Sequence, residues 1–487
     1  MPSATGATVS LCMIVRNEER NLADCLDPIA TLFDEIIIVD TGSTDGTREI
    51  ALRFADEVHD FIWCDDFAAA RNESMRKAHG DWIFWLDADD RIPLSQLKLL
   101  KRLIKGLGTA KVAYQMTTVC RLQFECDGVQ HLSHTRLFRR DPSIYWRGRV
   151  HEQLRPSLRE LGFELCHHPM RIEHLGYADA SLKLKKAQRD IRLLRMDYAT
   201  DPEDAGTILH LAMAYGRVSN FSEGRRYLEM LEAREMSGAE WECRLYDLLV
   251  DFCMKSGDLQ AALDYSGRGL RLFPNQIALM YARAWVLFEV DAYDACASLL
   301  LRIIRLPSSQ TYQGGSRGDI RSRWAPILLA DTWQHLGQHK NAINLLTRAL
   351  QLHPDDVRMI YSLGLNFMAL GQRQRVASLR QRLEPLPQGN VFSILLLIRD
   401  RLIHDELAGL DEWIERLIQL APQMPYARIL RVDYLRRTNA SLHDYLAACR
   451  DALRHCPHHR GILEQVSKIE AFLADANATK LDLARIE

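Results

Sequence analysis

Apolar residues in the first ninety positions come in short, dense runs separated by polar or helically spaced segments. TVSLCMIV (Thr8–Val15), EIIIVD (Glu35–Asp40) and DWIFWLD (Asp81–Asp87) predict buried strands. Between them, EERNLADCLDPIATLF places Leu22, Cys25, Leu26, Ile29 and Leu32 at helical spacing. TDGTREIALRFAD reads as a helix entered from a Gly/Ser/Thr turn, and FAAARNESMRKAHG as another that ends near Gly80. Strand and helix in alternation predict right-handed crossovers and a mostly parallel α/β sheet covered on both faces. From Lys111 to Met170 the pattern becomes strands with turns, expected as antiparallel additions to that sheet. A long basic amphipathic helix follows from Gly176.

Beyond Asp201 nearly every segment has helical spacing, and the pattern repeats. Gly257, Gly337 and Gly371 mark turns, Gly337 and Gly371 stand 34 positions apart, and Pro354 and Pro422 stand 68 apart. Ala342 and Ala349 occupy small-residue places matched around Pro274 by Ala262 and Gly269. A 34-residue helix-turn-helix period with small contact residues and a closing proline is the tetratricopeptide signature. About seven degenerate units are expected from Ala205 to near His459, with an insertion at Pro307–Asp319. The expected domains are therefore 1–180 α/β, 181–204 a linker helix, 205–470 helical repeats and 471–487 a tail. The polar link DYATDPEDAG (Asp197–Gly206) is expected to carry few crossing contacts.

Composition narrows the class. The 487 residues are 47% hydrophobic and 26% charged with a net charge of −2. No global field draws such a chain to nucleic acid. No apolar run approaches membrane-span length, and the first ten residues lack the pattern of a signal peptide. Eleven cysteines without a CxxC pair read as reduced thiols, so a cytoplasmic location is expected.

The candidate chemistry lies where strands end, because ligands of open α/β sheets bind beyond the C-terminal strand ends. Asp40 ends one strand. Asp87, Asp89 and Asp90 follow another within FWLDADDRIP. Carboxylates at n and n+2, with small Ala88 between them, suit a hard divalent cation that also takes phosphate oxygens. DTGSTDGT (Asp40–Thr47) lacks both the dinucleotide glycine spacing and the P-loop lysine. A cation at Asp87–Asp89 would then neutralise phosphate. Asp45 is a candidate helix cap. Asp90 is left over. RGRVHEQL adds Arg147, Arg149, His151 and Glu152, and IEHLGY adds Glu173 and His174. Glu152 is the candidate general base. Arg147 and Arg149 are either phosphate ligands or surface residues.

SLCMIVRNEERNLADCL, EIIIVDTGSTDGT and FAAARNESMRKAHGDWIFWLDADD, in that order, resemble the successive motifs of family 2 glycosyltransferases with the GT-A fold, over roughly Val9–Asp190. With its repeats, the chain resembles members of that family joined to tetratricopeptide arrays, including enzymes that glycosylate peptides on cysteine or serine. The resemblance implies a metal-dependent inverting hexosyltransferase that uses Mn²⁺ or Mg²⁺ and a nucleotide-sugar, with the family leaning to UDP. It implies that Val15, Glu18 and Asp40 line the nucleotide. It places Asp87 toward ribose and metal, Asp89 on the metal, and Arg71 near the donor. His174 is the expected histidine of the metal site, with His151 second, and Asp90 is expected either to face the transferred sugar or the acceptor or to pair with Arg91. The repeats are expected to hold a peptide or protein acceptor, or else to form a homodimer. A glycan- or lipid-acceptor transferase, an inactive repeat scaffold and a nucleotidyltransferase are the competing readings.

Overall fold

In the computed structural model, residues 6–121, 129–175, 180–234, 240–307, 320–456 and 459–474 are described. Positions 308–319 of the expected insertion, Gly176–Tyr177 and the tail beyond position 474 lie outside them. The chain divides into two compact units, the first reaching Arg283 and the second starting at Ala284.

The first unit is built on an eight-stranded mixed sheet of order β3-β2-β1-β4-β7-β6-β8-β5. The strands are β1 (Val9–Val15), β2 (Glu35–Asp40), β3 (Glu57–Asp60), β4 (Trp82–Trp85), β5 (Asp90–Arg91), β6 (Val112–Arg121), β7 (Val129–Arg139) and β8 (Glu164–His174). β1 pairs in parallel with β2 and β4, and β2 with β3. β7 joins β4 and β6 antiparallel, while β8 runs parallel to β6 and antiparallel to β5. β1, β2 and β4 are buried on both faces, which is why these three strands read as continuous apolar runs. Val9, Leu11 and Met13 pack on one face with Ile36, Ile38 and Phe84. Cys12, Ile83 and Trp85 pack on the other with Ala68 and Phe138.

The helices of this domain are α1 (Leu22–Leu26), α2 (Thr47–Phe54), α3 (Phe67–Lys77), α4 (Leu94–Lys105) and α5 (Arg155–Glu160). The segment expected as one helix after β1 is instead α1 followed by a 3₁₀ turn at Ala30–Leu32. Pro28 between them explains the break, since proline removes a helix hydrogen bond. Gly80 lets the next strand approach β1, because a Cβ there would lie 2.6 Å from Ser10 Oγ.

α6 (Ala180–Thr200) and α7 (Ala205–Arg217) begin the helical half, and contacts do cross the polar link between them. Arg192 of α6 forms a two-pronged ion pair with Asp65 at 2.6 and 2.7 Å. His210 of α7 stacks on His151 at 4.6 Å. The first unit continues through α8 (Phe221–Glu232), α9 (Glu240–Lys255) and α10 (Leu259–Leu272). A Cβ at Gly269 of α10 would meet Tyr246 at 2.9 Å, which accounts for the small residue at that place.

Helix continues to follow helix: α11 (Ile277–Glu289), α12 (Tyr293–Arg305), α13 (Ala325–His335), α14 (His339–Leu352), α15 (Val357–Ala369), α16 (Arg373–Leu383), α17 (Gly389–Ile403), α18 (Leu410–Leu420), α19 (Pro425–Arg437), α20 (Leu442–His455) and α21 (Arg460–Ala474). Within the first unit α7 packs on α8 and α9 on α10, and within the second α13 packs on α14, α15 on α16 and α19 on α20, the paired-helix arrangement of tetratricopeptide repeats. Gly257, Gly337 and Gly371 have φ of +77°, +69° and +68°, the left-handed backbone that ends a helix at glycine.

Candidate active site

Past Trp85 the chain leaves the sheet and turns tightly. The amide of Asp90 donates to the carbonyl of Asp87 at 3.0 Å, and the amide of Asp87 donates to the Asp90 carboxylate at 3.0 Å. Asp90 then opens β5, whose register sets it opposite His174 at the end of β8. This pairing brings together two segments 84 positions apart. Donor atoms of Asp87, Asp89, Asp90 and His174 all lie within 4.8 Å of one another.

The three aspartates differ in what balances them. Asp90 is fully buried and bound to Arg136 of β7 at 2.8 Å, with His174 Nδ1 3.0 Å away. Arg136 lies 3.9 Å over the Trp85 ring and donates to Thr118 Oγ1 at 3.1 Å. The expectation that Asp90 faces a sugar, faces an acceptor or pairs with Arg91 is therefore corrected. A carboxylate with no exposure cannot touch substrate, and Arg91 instead donates to the carbonyls of Ala88 and Asp90. Asp90 is a structural anchor of the turn rather than a catalytic group.

Asp87 is bound to Arg71 at 2.8 Å, and Arg71 also holds Glu152 at 2.6 Å. Burial opposes ionisation of Asp87, but the charges of Arg71 and Arg136 keep its pKa below the usual carboxylate range. Arg71 itself is buried on α3 and lies 4.4 Å over Trp85 and 5.2 Å over Trp146. Its guanidinium is committed to two carboxylates, so it positions them rather than standing open to a phosphate.

Among the described residues, Asp89 pairs with His174 and with no arginine. Burial, with the charges of Asp87, Asp90 and Glu18, outweighs His174 and lifts its pKa to about 6. Burial alone would lower the pKa of His174, yet the hydrogen bond to Asp90 and the nearby carboxylates raise it. Clustered oxygen donors with one imidazole, and one carboxylate left without a fixed cation, fit a hard divalent ion. Asp89 and His174, 3.4 Å apart, would hold it, with Asp87 beside them.

Above this cluster opens a cleft of about 1100 Å³. Val15, Glu18, Arg71, Asp87, Ala88, Asp89, Glu152 and His174 line it. Asp40 does not line it: its carboxylate accepts from the amides of Gly42 and Ser43 at 3.0 and 2.8 Å, and Thr41 reaches the cleft instead. Asp45 accepts from the amide of Thr47 at 3.1 Å, the capping role expected of it. Arg147 pairs with Glu160, and Arg149 with Asp197, so neither serves as an open phosphate ligand. His151 lies with Asp190 and His210, apart from the acidic cluster, and is not its histidine.

Glu152 is carried by a loop closed by the reciprocal amide bonds of Arg147 and Gln153, 3.1 and 2.9 Å long. Gly148 and His151 turn this loop with φ of +90° and +55°. His134, Trp146 and Arg155 also line the cleft, and Arg136 lies buried behind Trp85; none of the four is marked as a site residue by the sequence. Arg136 carries no local signal, since Ser133, His134 and Thr135 before it are polar and Arg139 and Arg140 follow after Leu137 and Phe138. Arg155 opens α5 at the cleft wall.

The family model for glycosyl transferase family 2 matches residues 10–155. Residues 10–155 are thus similar to a glycosyl transferase family 2 domain. The matched span holds Asp87, Asp89, Asp90 and Arg136, while His174 lies beyond it. A TPR repeat-containing protein of Synechococcus elongatus is 32% identical over 270 residues, 54% of this chain and 65% of that protein. Glycosyltransferase SunS, from the SPbeta prophage of Bacillus subtilis, is 27% identical over 200 residues, 40% of this chain and 46% of that protein. The chain thus spans between about half and two thirds of the length of these relatives. A tetratricopeptide repeat protein from Parabacteroides merdae aligns with 52% of this chain and 98% of its own at 10% identity, with a TM-score of 0.42.

Proposed function

We propose that this chain transfers a sugar, with inversion, from a nucleotide-sugar to a side chain of a peptide or protein. The observation that carries the reading is the β5–β8 pairing, which sets Asp89 and His174 together at the mouth of the cleft. A divalent cation held there, Mn²⁺ or Mg²⁺, supplies Lewis-acid stabilisation to a diphosphate leaving group. UDP is the proposed nucleotide, with Val15 and Glu18 on the donor side.

The chain's own groups divide the remaining work. The acceptor oxygen or sulfur attacks the anomeric carbon as the bond from that carbon to the diphosphate breaks. Glu152 takes the acceptor proton, and the nucleoside diphosphate leaves with the bonding electrons. Arg71 fixes Glu152 and Asp87 at once, so protonation of Glu152 still leaves that buried guanidinium paired. Arg136 and Asp90 hold the turn rigid beneath them.

The helical array is the proposed acceptor surface, since stacked helix pairs present extended faces to polypeptides. No helix among the described residues is long and apolar enough to cross a membrane. A cytoplasmic location is part of the proposal, and a homodimer through the repeats is its alternative use. The test is a donor screen that measures nucleoside diphosphate release for each sugar nucleotide, with and without Mn²⁺. Release of pyrophosphate instead would identify a nucleotidyltransferase. No release under any condition would favour an inactive scaffold.

A further inference from the structure

The cleft is lined by different charges at its two ends. The acidic end carries Glu18, Asp87 and Asp89, with Arg16 and Arg71 beside them. Arg71 is already committed to Asp87 and Glu152. The other wall comes from α5, α6 and α7 and carries Arg155, Lys186, Arg189 and Arg217. Asp190 is the carboxylate of that wall, and it is shared: Arg189 lies 2.8 Å from it and Arg217 3.3 Å. His151, 3.9 Å from Asp190, adds no charge near neutral pH, because burial lowers its pKa to about 4. Lys186, Arg189, Arg217 and Arg155 thus share the wall with one carboxylate.

Glu152 stands between the two ends. Its carboxylate is tied through Arg71 to Asp87. On one side of it in the chain, His151 stacks on His210 of α7. On the other, Gln153 reaches the start of α7, where a Cβ on Gly206 would lie 3.7 Å from its Nε2, and Arg155 opens α5. The loop therefore runs from the acidic cluster to the basic wall. Arg155 itself is half-buried, lines the cleft and pairs with no carboxylate among the described residues. Arg147 and Arg192, which are more exposed, both have carboxylate partners. Withdrawing a charge from water without a counter-charge is unfavourable, and a guanidinium in that position on a cleft wall suits an anionic ligand.

We propose that Arg155, Lys186, Arg189 and Arg217 form a subsite for a carboxylate-bearing side chain of the acceptor, so that the residue modified is one flanked by Asp or Glu. This subsite presupposes the sugar transfer proposed for the cleft, which puts the acceptor nucleophile beside Glu152. The donor's diphosphate is the other anion of that reaction, and its proposed cation lies with Asp89 and His174 at the acidic end. An acceptor reaching Glu152 from the opposite side has the basic wall next to it. Guanidinium groups hold carboxylates through paired hydrogen bonds, and charge complementarity of this kind selects among partners and fixes their register.

The test uses the full-length chain with UDP and Mn²⁺, and short labelled peptides that differ only in the residues flanking a central serine or cysteine: Glu, Gln or Lys. Fluorescence anisotropy is expected to show Glu-flanked peptides binding about tenfold or more tightly than Gln-flanked ones, with Lys-flanked peptides weakest. Added salt should shrink that advantage. Arg155→Glu should abolish the preference for Glu flanks, and Arg155→Lys, which keeps the charge, should retain most of it. Arg155 has no carboxylate partner to lose, so both variants should keep the thermal midpoint. UDP affinity, read by calorimetry with Mn²⁺, should be the same in both variants as in the unchanged chain. No preference for Glu flanks in the unchanged chain, or the same preference in Arg155→Glu, would overturn the proposal. An equal loss of UDP and peptide affinity in Arg155→Glu would also overturn it, and would give these cations to the donor's diphosphate. No binding of UDP by the unchanged chain would instead overturn the transfer from UDP that the subsite presupposes.

Discussion

Asp87, Asp89 and Asp90 show how one residue type takes three roles within four positions. Arg71 balances Asp87 and Arg136 balances Asp90, while Asp89, raised in pKa by burial, is the carboxylate proposed for a cation. Asp89→Asn should therefore abolish metal-dependent donor turnover while the protein stays folded, because it removes charge rather than core volume. Full turnover in Mn²⁺ by that variant would contradict the assignment. Arg136→Met should act the other way, through stability. Removing one partner of a buried ion pair leaves an unpaired charge and costs about 3–5 kcal/mol, read as a lower denaturant midpoint. Replacing Asp90 by Leu in the same protein should recover part of that loss. For Glu152→Gln, acceptor transfer should fall by about 10²–10⁴ with nucleotide affinity near normal. A matching loss of nucleotide binding would make Glu152 a donor-site residue.

At the scale of elements, the loop that carries Glu152 is braced by helices outside the span that matches family 2. His151 stacks on His210 of α7, and burial, before any charge, pushes their pKa values down to about 4 and 3. Asp190, Arg189 and Arg217 surround the pair, with Asp190 pulling His151 the other way. Both folded values lie below the ordinary histidine value, so between about pH 6.5 and pH 4 the unfolded chain binds protons that the folded chain does not. Stability should consequently fall as pH drops through that window. A series of thermal midpoints from pH 7.5 to 5 should show the decline, and His210→Phe should flatten it. An unchanged slope in that variant would exclude the pair as its source.

For the whole molecule, the same bracing changes where the chain can be cut. A chain ending at Thr200 loses His210 and Arg217, both in contact with the cleft's own wall, and should be less stable than one ending at Leu272. Comparing thermal midpoints of the two shortened chains checks this. If either folds, donor hydrolysis should persist while modification of the polypeptide acceptor is lost; unimpaired modification would remove the repeats from acceptor recognition. The alternation of strand and helix, the acidic turn and the succession of helices were legible in the sequence, whereas the family match ends at residue 155, short of the expected Asp190. The legible features rest on local periodicity and on turn chemistry, which neighbours in the chain determine. The partners of the site were not legible, because ion pairing is decided in space. Nothing near Asp90 in the chain announces Arg136, 46 positions away, and its nearer neighbour Arg91 was an equal candidate until the sheet register placed it elsewhere. Asp40 shows the reverse case, where a strand-end carboxylate turned back to its own loop amides. The sequence by itself determined which segments become strands and helices and which carboxylates stand at strand ends. Only the tertiary structure decided which of those charges are neutralised and which remain for a ligand, because that depends on distances of a few ångströms between segments far apart in the chain.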